Sequence, residues 1–229
     1  MAIKLIYKKE GIDIEKEVKI MEKLSNNNSV KIIEKFDSYK EYAIVMELCD
    51  CNLKNKLDDS PNGFNINEIK NILTQLNNTF RIMLNNKIIH RDIKLENILV
   101  KYINEDKNNY IVKLGDYGIS KQLSTFSQIN YTFVGTIRTE APQILKGKPY
   151  DGKCDLWSLG IIIYQMYFKQ FPYTGVRDMA ILEQIENLKQ THFKKTGDEN
   201  LDDLISKLLI PIPEDRLSWE QYFNHPFFK

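Results

Sequence analysis

Before about residue 50, the spacing of apolar residues is mainly strand-like. Short β-type segments at 2–7, 30–33 and 42–46 flank a charged segment at 14–24. Apolar residues recur at helical spacing within the charged segment, whereas the flanking segments are short apolar runs. The predicted order of elements is therefore strand, helix, strand, strand.

After this point the pattern becomes mainly helical. Two short β-type segments, 98–101 and 110–114, enclose the polar, turn-prone stretch 104–109, which has the composition of an exposed loop. Apolar residues recur at helical spacing in five further segments: 66–85, 155–168, 178–191, 201–209 and 219–223. No Gly/Ser-rich or Pro-rich linker and no internal repeat interrupts the sequence, so only the change of pattern marks a boundary.

Composition narrows the kinds of partner. The 229 residues carry 32 Lys and Arg against 31 Asp and Glu, and a net charge of +1 gives no basic field of the kind that binds nucleic acid or anionic membranes. The longest apolar run, 159–163, is far shorter than the roughly 20 residues of a membrane span, and no signal-like segment follows Met1. We therefore expect a soluble, cytoplasmic protein with no nucleic-acid or membrane partner.

The cysteines do not suggest a disulfide framework. Cys49, Cys51 and Cys154 are odd in number and include a single short pair, which matches neither a secreted scaffold nor a four-ligand zinc site. A metal or redox pair at Cys49 and Cys51 is the less favoured alternative, because no further Cys or His lies nearby. We expect free thiols.

Two polar clusters carry the strongest chemical signal. The segment 90–97 reads HRDIKLEN, and the segment 116–118 reads DYG after the second short β-type segment. Either cluster alone is more often an ordinary surface loop. Both together, in this order and each beside a β-type segment, favour a chemical role.

The residue types in these clusters suit phosphoryl transfer. The carboxylate of Asp92 can orient an acceptor hydroxyl and take its proton. Asn97 and Asp116 offer the oxygen ligands that Mg²⁺ prefers, and the ammonium of Lys94 can neutralise charge on the transferred group.

With these clusters, nearly the whole chain resembles the eukaryotic protein kinases, whose catalytic loop reads H-R-D-x-x-x-x-N and whose metal loop reads D-F-G. Residues 90–97 fit the first pattern in full, and 116–118, called the metal loop below, fit the second with Tyr for Phe. Further landmarks follow in family order: Gly135-Thr136, Ala141-Pro142-Gln143, DLWSLG at 155–160, PEDR at 213–216 and HPF at 225–227.

This resemblance implies a fold and an activity. The fold would be of class α+β and two-lobed, with a truncated, β-rich N-lobe at 1–48 and a mainly helical C-lobe at 49–229. The activity would be transfer of the γ-phosphate of ATP, with Mg²⁺, to a protein substrate. Lys94 and Thr136 resemble the Ser/Thr branch of the family, so we expect Ser/Thr acceptors; the docking features at 135–142 disfavour a small-molecule kinase.

The start of the sequence resembles the family less completely. Residues 2–4 are similar to the V-A-I-K strand, so the resemblance makes Lys4 a phosphate ligand and Glu17 its partner on the C-helix. No G-x-G-x-x-G loop precedes Lys4. Either the chain is a fragment or the family fold is reduced, and a catalytically weak or inactive kinase-like binding module is the alternative function.

The nucleotide site follows from the same resemblance. It makes Met46 the gatekeeper and assigns adenine recognition to backbone groups of Glu47 and Cys49. Glu96 also belongs to the expected cofactor site, together with Lys4 and the metal ligands Asn97 and Asp116.

The resemblance also suggests how the domain is regulated. Arg91 precedes the catalytic Asp, an arrangement that in the family often holds a phosphorylated activation segment, and Thr132 occupies the place of the activating phosphosite. Phosphorylation would come from an upstream kinase or from the protein itself; an ordinary loop hydroxyl is the alternative for Thr132.

Two residues differ from the family motifs. Gln143 stands where the family has a Glu that pairs with an Arg, here Arg216. Tyr117 stands where the family has Phe, and its hydroxyl needs a partner.

Overall fold

The computed structural model describes residues 1–8, 14–122, 137–175, 178–187 and 193–229. The predicted phosphosite Thr132 and the landmark Gly135-Thr136 lie outside the described residues.

A small lobe forms from the first four elements: β1 (Ala2–Tyr7), α1 (Ile14–Lys23), β2 (Ile32–Asp37) and β3 (Glu41–Met46). The strands form an antiparallel sheet in the order β1-β3-β2, in which Lys4 lies opposite Ile44. The predicted order of elements agrees with this lobe, although the second strand lies at Ile32–Asp37 rather than at 30–33.

Helix α1 covers one face of the sheet. Its residues Ile14 and Val18 are buried against Tyr42 and Ile44 of β3. Farther along α1, Met21 belongs to the core of the large lobe instead. The helix therefore connects two separate apolar clusters.

The large lobe contains the remaining elements. Its helices are α2 (Leu53–Asp58), α3 (Ile66–Asn85), α4 (Pro142–Leu145), α5 (Lys153–Phe168), α6 (Asp178–Asn187), α7 (Glu199–Leu208) and α8 (Trp219–Phe223). Its strands are β4 (Cys51–Asn52), β5 (Ile88–Ile89), β6 (Ile98–Ile103), β7 (Asp106–Leu114) and β8 (Lys121–Gln122). Short 3₁₀ turns occur at Leu95–Asn97, Ile137–Thr139 and Pro226–Phe228.

One loop prediction is wrong. Residues 104–109 were expected to form an exposed loop, but β7 begins at Asp106 and pairs with β6 in a tight hairpin. Asn104 and Glu105 both have positive φ, of 53° and 60°, as a two-residue type I′ turn requires. The polar side chains of 106–109 are exposed on a strand, and polarity alone does not separate such a strand from a loop.

Helix α5 is the centre of the large lobe. Twelve of its 16 residues are buried, and the side chain of Trp157 is fully enclosed. The guanidinium of Arg216 lies 5.1 Å from the centre of the Trp157 ring and donates to Gln143 Oε1 at 3.3 Å. Burial lowers the pKa of Arg216 to about 10, which leaves the guanidinium charged at neutral pH.

Among the described helices, none combines the length and the apolar character needed to cross a bilayer.

Candidate active site

A cavity of about 410 Å³ opens between the two lobes. Val30 and Leu99 contribute apolar surface to it, from the small and the large lobe respectively. All the residues expected to bind the cofactor line this cavity: Lys4, Met46, Glu47, Cys49, Glu96, Asn97 and Asp116. The volume lies within the range of about 300–1,000 Å³ that is usual for small-molecule sites.

Lys4 joins the small lobe to the metal loop. Its ammonium lies 2.7 Å from Glu17 Oε1 on α1 and 3.0 Å from Asp116 Oδ1. Although burial opposes the charged form, the hydrogen bond and charge of Glu17, and then those of Asp116, raise the pKa of Lys4. Burial likewise opposes ionisation of Asp116, but the charge of Lys4 and its hydrogen bond lower the pKa of this carboxyl. Both groups are therefore charged at neutral pH.

The catalytic-loop residues form a second cluster. Lys94 Nζ lies 2.7 Å from Asp92 Oδ2, and Asn97 Nδ2 donates to the same carboxylate oxygen and to the Asp92 carbonyl, both at 2.9 Å. The carboxylate of Asp92 is therefore oriented by a cation and an amide. Since the amide nitrogen of Asn97 faces Asp92, its oxygen is directed to a different side of the group.

A buried carboxylate holds the start of this loop. Asp155, at the beginning of α5, accepts hydrogen bonds from the backbone N–H groups of His90 and Arg91 at 2.8 and 2.9 Å. His90 Nε2 lies 3.0 Å from the carbonyl of Gly115, which precedes the metal loop. Burial lowers the pKa of His90, so the neutral ring donates from Nε2 to that carbonyl. The catalytic loop, the metal loop and α5 are thus connected through buried groups.

The carboxylate of Glu47 is held by two neighbouring groups. Its Oε1 accepts from Lys31 N at 2.9 Å and lies 3.0 Å from Lys113 Nζ. At Cys49, burial raises the thiol pKa to about 11, so the sulfur is a protonated thiol at neutral pH. In the part of the chain that the structure describes, no three His, Cys, Asp or Glu side chains come together as a metal cluster.

Comparison with known proteins agrees with this arrangement. The family model for the protein kinase domain matches residues 1–228. The chain belongs to the protein kinase family. The α+β, two-lobed fold expected from the sequence is thereby confirmed.

Several curated relatives are named Ser/Thr kinases. The chain is 29% identical to the serine/threonine-protein kinase TIO of Arabidopsis thaliana, over 100% of this chain and 17% of that protein. It is 31% identical to human Nek5, over 93% of this chain and 30% of the relative. Its identity with pakG of Dictyostelium discoideum is 36%, over 99% and 19%. The kinase domain thus spans less than a third of the length of these relatives.

The guanidinium of Arg91 in this kinase domain donates to neutral groups. It donates to the carbonyl of Ile119 and, at 3.2 Å, to the hydroxyl of Tyr150. The backbone of Arg91 has a φ of 70°, a strained value for a non-glycine residue. Because Thr132 lies outside the described residues, its pairing with Arg91 stays a prediction.

Sequence reasoning missed several supporting residues. Asp155 was recognised as part of a motif, but its hydrogen bonds to the catalytic loop were not foreseen. Val30 and Leu99 give no sequence signal beyond an apolar residue in a short strand-like segment. Ser29, which contacts Tyr117, gives no signal either, because a Ser at the end of a run of Asn resembles any turn residue.

Proposed function

We propose that this domain is an ATP-dependent protein Ser/Thr kinase that transfers the γ-phosphate to hydroxyls of protein substrates. The observation that supports this most is the meeting of Lys4, Asn97 and Asp116 at one interlobe cavity, although they come from distant parts of the sequence. We assign 1–48 to the N-lobe and 49–229 to the C-lobe. A net charge of only +1 fits a protein substrate better than nucleic acid or a membrane surface.

The cavity offers matching surfaces for the two ends of the nucleotide. Ala2, Val30 and Leu99 provide apolar surface for an adenine ring, next to the backbone of Glu47 and Cys49. At the other end, Lys4 supplies a charged ammonium for phosphate oxygens. Glu17 orients that ammonium through the 2.7 Å contact.

The donor set fits Mg²⁺. This ion usually takes one or two carboxylates together with phosphate oxygens and waters, rather than an all-protein cage. Asp116 offers a carboxylate, whose pKa is lowered, and Asn97 offers an amide oxygen. Both oxygens belong to residues on the wall of one cavity. When bound, Mg²⁺ would neutralise charge on the phosphates.

Three residues of the catalytic loop have separate roles in the reaction. Asp92 orients the substrate hydroxyl and accepts its proton as the hydroxyl oxygen bonds to the γ-phosphorus and the bond from that phosphorus to ADP breaks. Lys94, 2.7 Å from Asp92, stabilises negative charge on the transferred group. Asn97 holds the Asp92 carboxylate through the 2.9 Å hydrogen bond.

Phosphate transfer from labelled ATP with Mg²⁺ to a generic Ser/Thr acceptor protein tests the proposal. We expect transfer by the wild-type chain, and losses of about 10²–10⁴-fold in Asp92→Asn because a general base is removed. Asp116→Ala should also lose transfer. Asp106→Asn makes the same change as Asp92→Asn at an exposed position of the β6–β7 hairpin, and this control variant should retain phosphate transfer.

The alternative is a nucleotide-binding module without catalysis. A folded wild-type chain that binds ATP but transfers no phosphate would support this alternative and contradict the kinase proposal.

A further inference from the structure

The phenol of Tyr117, in the metal loop, is held by two hydrogen bonds. Its ring and hydroxyl are fully buried, and so is Ser29, which lies between α1 and β2. Tyr117 Oη donates to the Leu114 carbonyl at 3.0 Å and lies 2.8 Å from Ser29 Oγ. Because the single phenolic hydrogen is used on Leu114, the Ser29 hydroxyl donates to Tyr117 Oη.

Ser29 itself belongs to a firmly anchored segment. On one side of it, the Asn28 carbonyl accepts from Leu114 N at 2.9 Å and from the Thr79 hydroxyl of α3 at 2.8 Å. On the other side, Val30 N donates to the Leu114 carbonyl at 3.0 Å. The segment around Ser29 is therefore tied to α3 and to the end of β7. It provides a fixed point next to the metal loop.

Asp116 needs such a fixed point. Its φ is 57°, in the left-handed region, which costs a non-glycine residue energy and persists only when neighbouring contacts impose it. About half of its side chain is exposed, at 52%, so packing of that side chain cannot impose the conformation. Its neighbour Tyr117, by contrast, is fully enclosed and 5.2 Å from the ring of His90. The contacts of Tyr117 are thus a buried constraint directly next to Asp116, on the side opposite the Gly115 carbonyl that His90 holds.

We propose that Ser29 is a positioning residue for Asp116: through the hydroxyl of Tyr117, it holds the metal loop in the conformation that presents the Asp116 carboxylate to Mg²⁺. The inference rests on the proposed kinase function, in which Asp116 is a metal ligand. Ser29 touches neither nucleotide nor metal in this account. It acts through Tyr117 alone.

The expected consequence is a specific loss of metal-dependent affinity. Misplacing Asp116 removes the gain in ATP affinity that Mg²⁺ provides, but leaves the metal-free contacts of ATP with the cavity as they were. A role of Ser29 in folding alone would instead change the melting temperature and leave that gain intact. The ratio of the ATP dissociation constant in EDTA to that in excess Mg²⁺ therefore separates the two roles.

Calorimetric titration of ATP into the whole chain measures this ratio for the wild type, Ser29→Ala, Tyr117→Phe and the double variant. We expect Ser29→Ala to lower the ratio about fivefold, which corresponds to one net hydrogen bond. Tyr117→Phe should lower it at least as far, because it also removes the bond to the Leu114 carbonyl. The double variant should be no worse than Tyr117→Phe, since Ser29 acts through the hydroxyl that Tyr117→Phe has already removed, whereas independent effects would multiply.

Two further variants calibrate the result. Tyr110→Phe removes another tyrosine hydroxyl bond, a partly buried one of 2.9 Å to Glu68 that lies away from the cavity, and should leave the ratio at the wild-type value. Asp116→Asn should lower the ratio at least as far as any other variant. Melting temperatures recorded for all variants show that each is folded at the titration temperature.

The outcomes distinguish the inference from the function on which it rests. If Mg²⁺ raises ATP affinity in the wild type but not in Asp116→Asn, and the ratio of Ser29→Ala equals that of the wild type, the positioning role is wrong and the metal site stands. Multiplicative losses in the double variant would also overturn the coupling. If Mg²⁺ does not change the affinity of the wild type, the proposed metal site and the inference both fail.

Discussion

The two lobes bury their apolar residues to different degrees. In the large lobe, α5 is apolar around most of its circumference and 12 of its 16 residues are buried. In the small lobe, β1 alternates regularly: Ile3, Leu5 and Tyr7 are 64%, 58% and 63% exposed, while the residues between them face α1. In the described residues the sheet therefore has one covered face and one apolar face open to solvent.

This difference extends to the active site. Asp92 and Asn97 stand on a loop that buried Asp155 connects to α5 and that buried His90 connects to Gly115. Lys4 stands on an edge strand and is positioned by ion pairs with Glu17 and Asp116. One half of the site is thus supported by a packed core, and the other by charged contacts on a thin sheet. The lobes should therefore respond differently to substitution and to pH.

The largest effect should come from the centre of the large lobe. Trp157→Ala removes a fully buried ring that also packs against the Arg216 guanidinium, so we expect a loss of about 3–5 kcal/mol in the free energy of unfolding. Urea unfolding followed by circular dichroism measures it. Ile44→Ala, at the centre of the smaller cluster, is the counterpart and should cost less, about 2 kcal/mol. Equal losses in the free energy of unfolding for Trp157→Ala and Ile44→Ala would contradict the difference in burial between the two lobes.

Next in size is the loss of the cation in the small lobe. Lys4→Met should lower kcat/KM for phosphate transfer about 10²–10³-fold, because charge on the phosphates loses its stabilising partner. The melting temperature should also fall, since the variant leaves the Glu17 carboxylate, only 8% exposed, without the ammonium that pairs with it. Lys35→Met removes an exposed lysine that pairs with Glu22 in the same lobe and should leave kcat/KM unchanged. A similar loss in both variants would mean that the small lobe is sensitive to any lost charge.

Acid should weaken the large lobe. Burial lowers the pKa of both His90 and His225, against the opposing influence of Asp155 and Asp203, and the small-lobe elements contain no His. Below a pKa of about 6.5 the unfolded chain binds protons that the folded chain resists, so stability is full above that pH and falls below it. We expect the free energy of unfolding to be about 1–2 kcal/mol lower at pH 5.5 than at pH 7.5.

Tryptophan fluorescence during urea unfolding measures this change where it is expected, because Trp157 and Trp219 both lie in the large lobe. His225→Asn should remove part of the difference between the two pH values. Identical unfolding curves at both values would show that the buried histidines do not set the acid response.

The smallest effect should come from the open face of the sheet. Leu5→Ala should change the free energy of unfolding by no more than about 0.5 kcal/mol, because the side chain is already 58% exposed. Ile44, on the opposite face, is fully buried and serves as the matched position. A cost for Leu5→Ala approaching that of Ile44→Ala in urea unfolding would show that the outer face is covered in solution.

Sequence patterns alone located the long elements and the chemical motifs. Helices α3 and α5 were predicted because an amphipathic or wholly apolar run of that length has few alternatives. Asp92, Asn97 and Asp116 could be predicted as a base and two metal ligands because phosphoryl transfer demands such groups and they lie in recognisable clusters. The two-residue strands β4 and β5 were missed, because such strands exist only through their pairing partners.

Tertiary structure decided which of these groups meet. The contact between Lys4 and Asp116 joins residues 112 positions apart, and that between Ser29 and Tyr117 joins residues 88 apart. Periodicity records that a residue faces an interior, but not which distant residue it meets there. The sequence by itself therefore determined the family and predicted the catalytic groups. Folding determined their geometry, because the contacts that orient these groups arise only when both lobes are packed.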